Sequence, residues 1–152
     1  MSNAVQSALQ TVLQGLPQFA DHPEGVTRGD YSILESQDLD VMIVIEPGVF
    51  GSGDAGACQI TRTWQIPFNI FCRYTGDITT LADFSTFRDA VIDRLDSYPT
   101  LNGQDNITLA RLSAEGDPTE VKDRTGGGPF FTMQTLQAEI IERVTLSGGE
   151  YA

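Results

Sequence analysis

Between Thr61 and Pro99 the apolar period changes once, and that change constrains the fold more than any other feature of the chain. Trp64, Ile66, Phe68, Ile70, Cys72 and Tyr74 are alternate residues. A period of 2 places them on one face of a pleated strand. Gln65, Asn69 and Arg73 fall on the other face, with Phe71 as its one large apolar member. Thr75-Gly76-Asp77 breaks the pattern with turn chemistry. Leu81, Phe84, Phe87, Val91 and Leu95 then follow at spacings of 3, 3, 4 and 4, one stripe of a helix. Thr80 is the expected N-cap, with Asp83 three residues on, and Pro99 ends the helix. An aromatic-rich strand face and an aromatic-rich helix stripe, joined by a short turn, should bury each other. Trp64, Phe68, Ile70, Phe84, Phe87 and Val91 are therefore the expected core cluster.

The remaining elements fit around that pair. Val5, Leu9, Val12, Leu13 and Leu16 form a helical stripe over residues 4–15, with Gly15 and Pro17 as its stop. Asp21 to Gly29 reads as a loop. Tyr31 and Ile33 follow, and then Val41 to Ile45. That last run is apolar at odd and even positions alike, so it reads as a strand covered on both faces. Glu46 to Ala57 holds four glycines from Gly48 on and reads as a flexible hairpin loop, with Phe50 exposed at its tip. The two strands it joins should be antiparallel neighbours. Ile107 to Leu112 is a short strand. Glu115 to Pro129 has no periodicity and reads as a second long loop. From Phe130 to Leu146, Leu136, Ala138, Ile140, Val144 and Leu146 alternate with polar residues, which favours a strand although part of the run also fits helical spacing. Residues 147–152 read as a flexible tail.

The whole chain, 1–152, reads as a single domain of α+β class: a mainly antiparallel sheet, two helices packed on one face and two long loops. A chain of 152 residues buries on the order of two thirds of its unfolded surface. With 40% hydrophobic and 20% charged residues it is expected to be soluble and folded rather than disordered. No apolar run approaches the roughly 20 residues of a membrane span, and the first residues do not resemble a secretory signal. Cys58 and Cys72 make no disulfide framework; a reduced chain with one buried thiol is expected. The net charge of −12 argues against nucleic-acid binding by counterion release, which needs clustered cations. This chain has one Lys and eight scattered Arg.

Chemistry-bearing patterns are weak. His22 is the single histidine and lies in a loop, so a catalytic triad or a histidine-rich metal site would rest on it alone. Asp38 and Asp40 precede an apolar strand, as in some metal-dependent phosphoryl-transfer enzymes, yet no further ligands gather nearby. Gly51-Ser52-Gly53-Asp54-Ala55-Gly56 imitates a dinucleotide fingerprint, but a strand follows it where the fingerprint needs a helix. Gly126–Gly128 reads as a hinge. Asp89, Asp93 and Asp96 read as a solvated helix flank. No catalytic residue, metal or cofactor is expected.

The order of elements resembles the tail terminator proteins of long-tailed bacteriophages, also called tail completion or tail-to-head joining proteins. The likeness is carried by Thr63-Trp64-Gln65-Ile66-Pro67-Phe68-Asn69-Ile70, by Leu81 through Tyr98, and by Gln134-Thr135-Leu136-Gln137-Ala138-Glu139-Ile140-Ile141-Glu142. It spans most of the chain, and it is a pattern of elements without a catalytic signature. The resemblance implies a compact subunit of a homo-hexameric ring. Such a ring caps the tail tube at full length and offers a surface to the head connector proteins. It implies a place in the virion neck after assembly in the host cytoplasm. The expected interface residues lie in the two loops: Val49, Phe50, Gly51 and Gly53 in the first, Asp117, Glu120, Lys122, Asp123 and Arg124 in the second. A head-closure protein or a tail-tube subunit is the neighbouring alternative; a small ligand-binding or hydrolytic domain is the alternative of another class. Pro67 departs from a regular central strand and suggests an edge or a bulge.

Overall fold

In the computed structural model, residues 2–35, 39–55, 59–74, 78–101, 107–121 and 130–145 are described. Two strands of sixteen residues each, β4 (Gln59–Tyr74) and β7 (Phe130–Thr145), form the spine. They pair antiparallel along their whole length, from Gln59 opposite Thr145 to Tyr74 opposite Phe130. At about 3.3 Å per residue this ladder is about 50 Å long. The strand reading of Phe130 onward therefore holds to Thr145.

Shorter strands flank the spine. β2 (Val41–Ile45) pairs antiparallel with β4, as expected from the connection between them. β1 (Val26–Arg28) pairs parallel with β2, and β5 (Ile107–Glu115) pairs antiparallel with β7. The order is β1-β2-β4-β7-β5. Two more strands complete it. β3 (Val49–Ala55) pairs with Ile60–Gln65 of β4, on the side that β2 occupies further along. β6 (Thr119–Val121) pairs with Phe131–Met133 of β7, on the side of β5.

The expected loops thus need correcting. Most of Glu46–Ala57 is strand β3, and Glu115–Pro129 contains the end of β5 and all of β6. The backbone of these segments pairs with the overhanging lengths of β4 and β7. The Asp21–Gly29 loop likewise contains a 3₁₀ turn (Pro23–Gly25) and β1. Tyr31 and Ile33 lie in another 3₁₀ turn, Tyr31–Glu35.

Pro67 is neither at an edge nor in a bulge. Its carbonyl accepts from the Glu46 N–H at 2.9 Å, and N and O of one strand residue point the same way. Its absent N–H therefore faces the corner where the chain leaves β2 for β3, and no ladder bond is lost there.

Both helices cover one face of the sheet. α1 (Ser2–Gln14) buries Val5, Leu9, Val12 and Leu13, and α2 (Ile78–Ser97) buries Phe84, Phe87, Val91 and Leu95. They meet Ile43, Ile45, Trp64, Ile66, Phe68, Ile70, Cys72, Leu136, Ala138 and Ile140 in one cluster, which includes all six expected core residues. α2 begins two residues before Thr80, so Thr80 lies within the helix and is not its N-cap. The turn Thr75–Asp77 lies outside the described residues, as do Cys58 and the 147–152 tail.

Polar side chains fix the helices in place. Gln6, Gln10 and Gln14 stand four residues apart on α1, and each donates its amide to a backbone carbonyl: Glu46 at 2.7 Å, Val26 at 2.8 Å and Pro23 at 3.0 Å. Arg94 of α2 donates from Nε to the Val12 carbonyl at 2.8 Å, with its guanidinium 4.2 Å over the Tyr98 ring. A cation is favoured there because the last carbonyls of a helix lack intrahelical partners.

Candidate functional site

The face of the sheet away from the helices divides into two zones. Around Phe71 a second apolar cluster forms from Leu39, Met42, Val44 and Phe131, with Leu34 and Met133 against it. Phe71 sits edge-on between Tyr31 and Phe131, with centroids at 6.3 and 6.2 Å. Arg73 lies 5.2 Å from the Phe131 ring centroid and donates to the Leu39 carbonyl from Nε and from a terminal nitrogen at 3.0 Å. The Tyr31–Glu35 turn thus roofs this end of the sheet.

Beyond it the outer face is polar. Gln65 Oε1 accepts from Gln137 Nε2 at 2.7 Å and from Ser113 Oγ at 3.0 Å. Thr135 Oγ1 donates to Asn69 Oδ1 at 2.6 Å. Asn69 Nδ2 donates to the Tyr31 hydroxyl at 2.8 Å and to Glu46 Oε1 at 3.3 Å. Arg111 pairs with Glu139 at 3.2 Å. Amide and hydroxyl side chains from three strands therefore cross-link β4, β7 and β5 on a surface of little net charge. The register across the strands creates this ladder, since Gln65, Gln137 and Ser113 are far apart in sequence.

The expected interface residues separate into two edges of the sheet. Val49, Phe50, Gly51 and Gly53 lie in β3, beside the first half of β4. Asp117 is exposed in the corner between β5 and β6, and Glu120 lies in β6, beside the first half of β7. Because β4 and β7 run antiparallel, β3 and β6 occupy diagonal corners and do not form one patch. Lys122, Asp123 and Arg124 lie outside the described residues, as does the Gly126–Gly128 hinge. The β5–β6 corner is tied down: Gln134 Nε2 donates to Glu115 Oε1 at 3.1 Å and to the Gly116 carbonyl at 2.6 Å, and Gly116 N–H donates to the Thr135 carbonyl at 2.8 Å.

The residues with catalytic potential stay apart. His22 immediately precedes the Pro23–Gly25 turn, makes no side-chain capping bond to it, and meets Glu24 at 2.9 Å near the surface. The backbone N–H of Glu24 first, and then His22, holds that carboxyl below its ordinary range. Asp38 lies outside the described residues, and Asp40 is exposed, 3.9 Å from Arg73 Nε. Among the described residues no group of three or more His, Cys, Asp or Glu stands close enough to hold a metal ion. The glycine run Gly51–Ala55 is in antiparallel strand β3, without the strand-to-helix turn a dinucleotide site needs. Cys72 is a free, buried thiol pushed up to about 11, first by burial and then by Asp83 and Asp40.

Two buried polar groups escape sequence reasoning because both sit at apolar-face positions of β7. Gln134 holds the β5–β6 corner, and Glu142 accepts from the Trp64 indole N–H at 3.3 Å, with Arg62 at 3.7 Å. No family model matches the chain, and a search of curated protein sequences returned no match.

Proposed function

We propose that the chain is a structural subunit of a long-tailed bacteriophage virion, a tail terminator that assembles as a ring on the tail tube and receives the head connector. One observation carries the reading. The two segments expected to make contacts, β3 and the β5–β6 corner, occupy opposite edges of a single sheet. A subunit with two different patches on opposite flanks meets its copies head to tail, and such a heterologous contact closes into a ring when the rotation fits. The uncharged amide ladder and the net charge of −12 support the same reading: a surface of this kind lets DNA pass without retaining it.

In this role function is recognition by area, without a chemical step. Apolar anchors at the centre of each contact carry most of the affinity, and Phe50 in β3 is the expected one. Packing like-charged subunits is opposed by repulsion that salt screens over about 8–10 Å near physiological ionic strength. Oligomers should therefore strengthen from low to moderate salt. Sedimentation velocity across a salt series, negative-stain microscopy of concentrated protein and a DNA-shift assay at low salt test the proposal together. Rings that grow with salt and fail to bind DNA are expected. A chain that stays monomeric at every concentration, or that binds DNA at micromolar levels, overturns it.

A further inference from the structure

A cavity of about 280 Å³ opens at the carboxyl ends of the parallel pair β1 and β2, lined by Gln6, Arg28, Gly29, Ile45 and Pro47. Each wall has a local reason. Arg28 ends β1 opposite Ile45, and the left-handed Gly29, at φ 73°, turns the chain away while its N–H donates to the Ile45 carbonyl at 2.9 Å. A Cβ at Gly29 would meet nothing within 4 Å, so the space beside it is open. Pro47 begins the corner toward β3. Gln6, more than nine-tenths buried, closes the floor from α1 and is held there by its bond to the Glu46 carbonyl.

Most of the described arginines are already engaged. Arg62, Arg73, Arg88, Arg94 and Arg111 all engage carboxylates, carbonyls or rings. The side chains of Arg28 and Arg143 are both exposed and, among the described residues, without a hydrogen bond or ion pair; of the two, Arg28 lines the cavity. The neighbouring Asp30 carboxylate accepts from the Ser32 N–H at 2.9 Å. A guanidinium presents a fork of donors that matches a carboxylate, and the Gln6 amide adds polar lining beside it.

The opposite edge of the sheet supplies the complement. β1 and β5 are the outer strands of the order β1-β2-β4-β7-β5. Just past β5, Asp117 is exposed and, among the described residues, also without a hydrogen bond or ion pair. We infer that the Arg28 cavity is a carboxylate-binding site and that its occupant is Asp117 of a second copy of this chain. This rests on the head-to-tail ring proposed above and names the charge pair that sets its register. The pair joins one edge of a subunit to the opposite edge of the next, which a two-fold dimer contact does not require.

Two measurements test it separately from the ring itself. In the first, sodium acetate replaces sodium chloride at constant ionic strength while the amide resonances of the wild-type chain are followed by NMR. Saturable shifts at Gly29 that vanish in Arg28→Ala are expected; no saturation, or equal shifts in the variant, overturns the site. In the second, Arg28→Glu and Asp117→Arg are each made alone and together, with Arg143→Glu as a control of equal charge change. Each single variant should raise the concentration needed for assembly at least tenfold, the double variant should restore it, and the control should remain within about twofold of wild type. Wild-type rings with no effect of the single variants, or no rescue in the double variant, overturn the occupant and leave the ring standing. A wild-type chain that never assembles overturns both the occupant and the ring.

Discussion

The two faces of the β4–β7 ladder are built from alternate residues of the same strands, yet they are held by different forces. On the helix side, Trp64, Ile66, Phe68, Ile70 and Cys72 meet α1 and α2 in a continuous apolar cluster. On the other side, the intervening residues make one small apolar cluster at Phe71 and then a ladder of amides and hydroxyls. Apolar burial is worth about 25 cal/mol per Å² of surface removed from water. An exposed hydrogen bond exchanges one partner for water and contributes little net. The first face therefore supplies the stability. The second presents a polar surface cross-linked by specific side-chain pairs.

Four experiments press on this contrast. The largest effect is expected for Phe87→Ala, which empties the centre of the helix-side cluster. Phe87 is fully buried and packs edge-on to Phe19 at 6.0 Å, so the loss should be about 3–5 kcal/mol in denaturant melts. A loss under about 1 kcal/mol would mean that α2 turns another face to the sheet. Phe71→Ala tests the smaller cluster on the outer face. Its neighbours can close on the space more readily, so about 3 kcal/mol is expected, at the low end of the range for aromatic truncation. An equal or larger loss than for Phe87→Ala would show that the outer face carries as much of the stability as the helix side.

The third experiment asks how dry the helix side is at Cys72. A thiol at about 11 is ionised to roughly one part in a thousand at pH 8, against about one in ten for a thiol at 9.0. In a Cys58→Ser background, alkylation of native protein at pH 8 should be about a hundredfold slower than of protein in denaturant. The sign for stability follows. The thiol is raised in the folded state, so its contribution is complete below pH 9 and lost as pH rises toward 11. Rapid native alkylation would show that water reaches this part of the cluster. The smallest effect is expected on the polar face. Gln65→Ala removes the acceptor shared by Ser113 and Gln137, both able to turn to water, and should cost about 1 kcal/mol or less. A loss of several kcal/mol would place the ladder among the structural supports of the fold.

Legibility in the sequence follows the same division. The strand–helix pair, the stripe of α1 and the long final strand could be read because each side chain's direction repeats with the local backbone geometry. Gln6, Gln10 and Gln14 also stand at helical spacing, but their carbonyl partners come from β1, the corner after β2 and a turn. Gln134 occupies an apolar-face position of β7, and only the β5–β6 corner folded against it explains an amide there. The expected interface residues read as loops because glycine and charge suppress periodicity. Asp117 does lie in an exposed corner, whereas β3 and β6 are strands by virtue of what they pair with. Arg28 carried no signal, since what distinguishes it is its place at the cavity beside Gly29 and Gln6, which only the folded chain creates.

The sequence by itself therefore determined which residues of β4 and α2 enter the core, that β2 and β4 run antiparallel, and that the class is α+β. Those properties depend on the repeat of one segment or on the shortness of one connection. The tertiary structure decided that β1 lies parallel to β2, that β3 and β6 extend the sheet at diagonal corners, and that Pro67 fits a central strand at a gap in its neighbours. Strands of three to seven residues bury too little surface of their own to announce themselves. Their hydrogen bonds belong to the long strands beside them, and those neighbours exist only once the chain has folded.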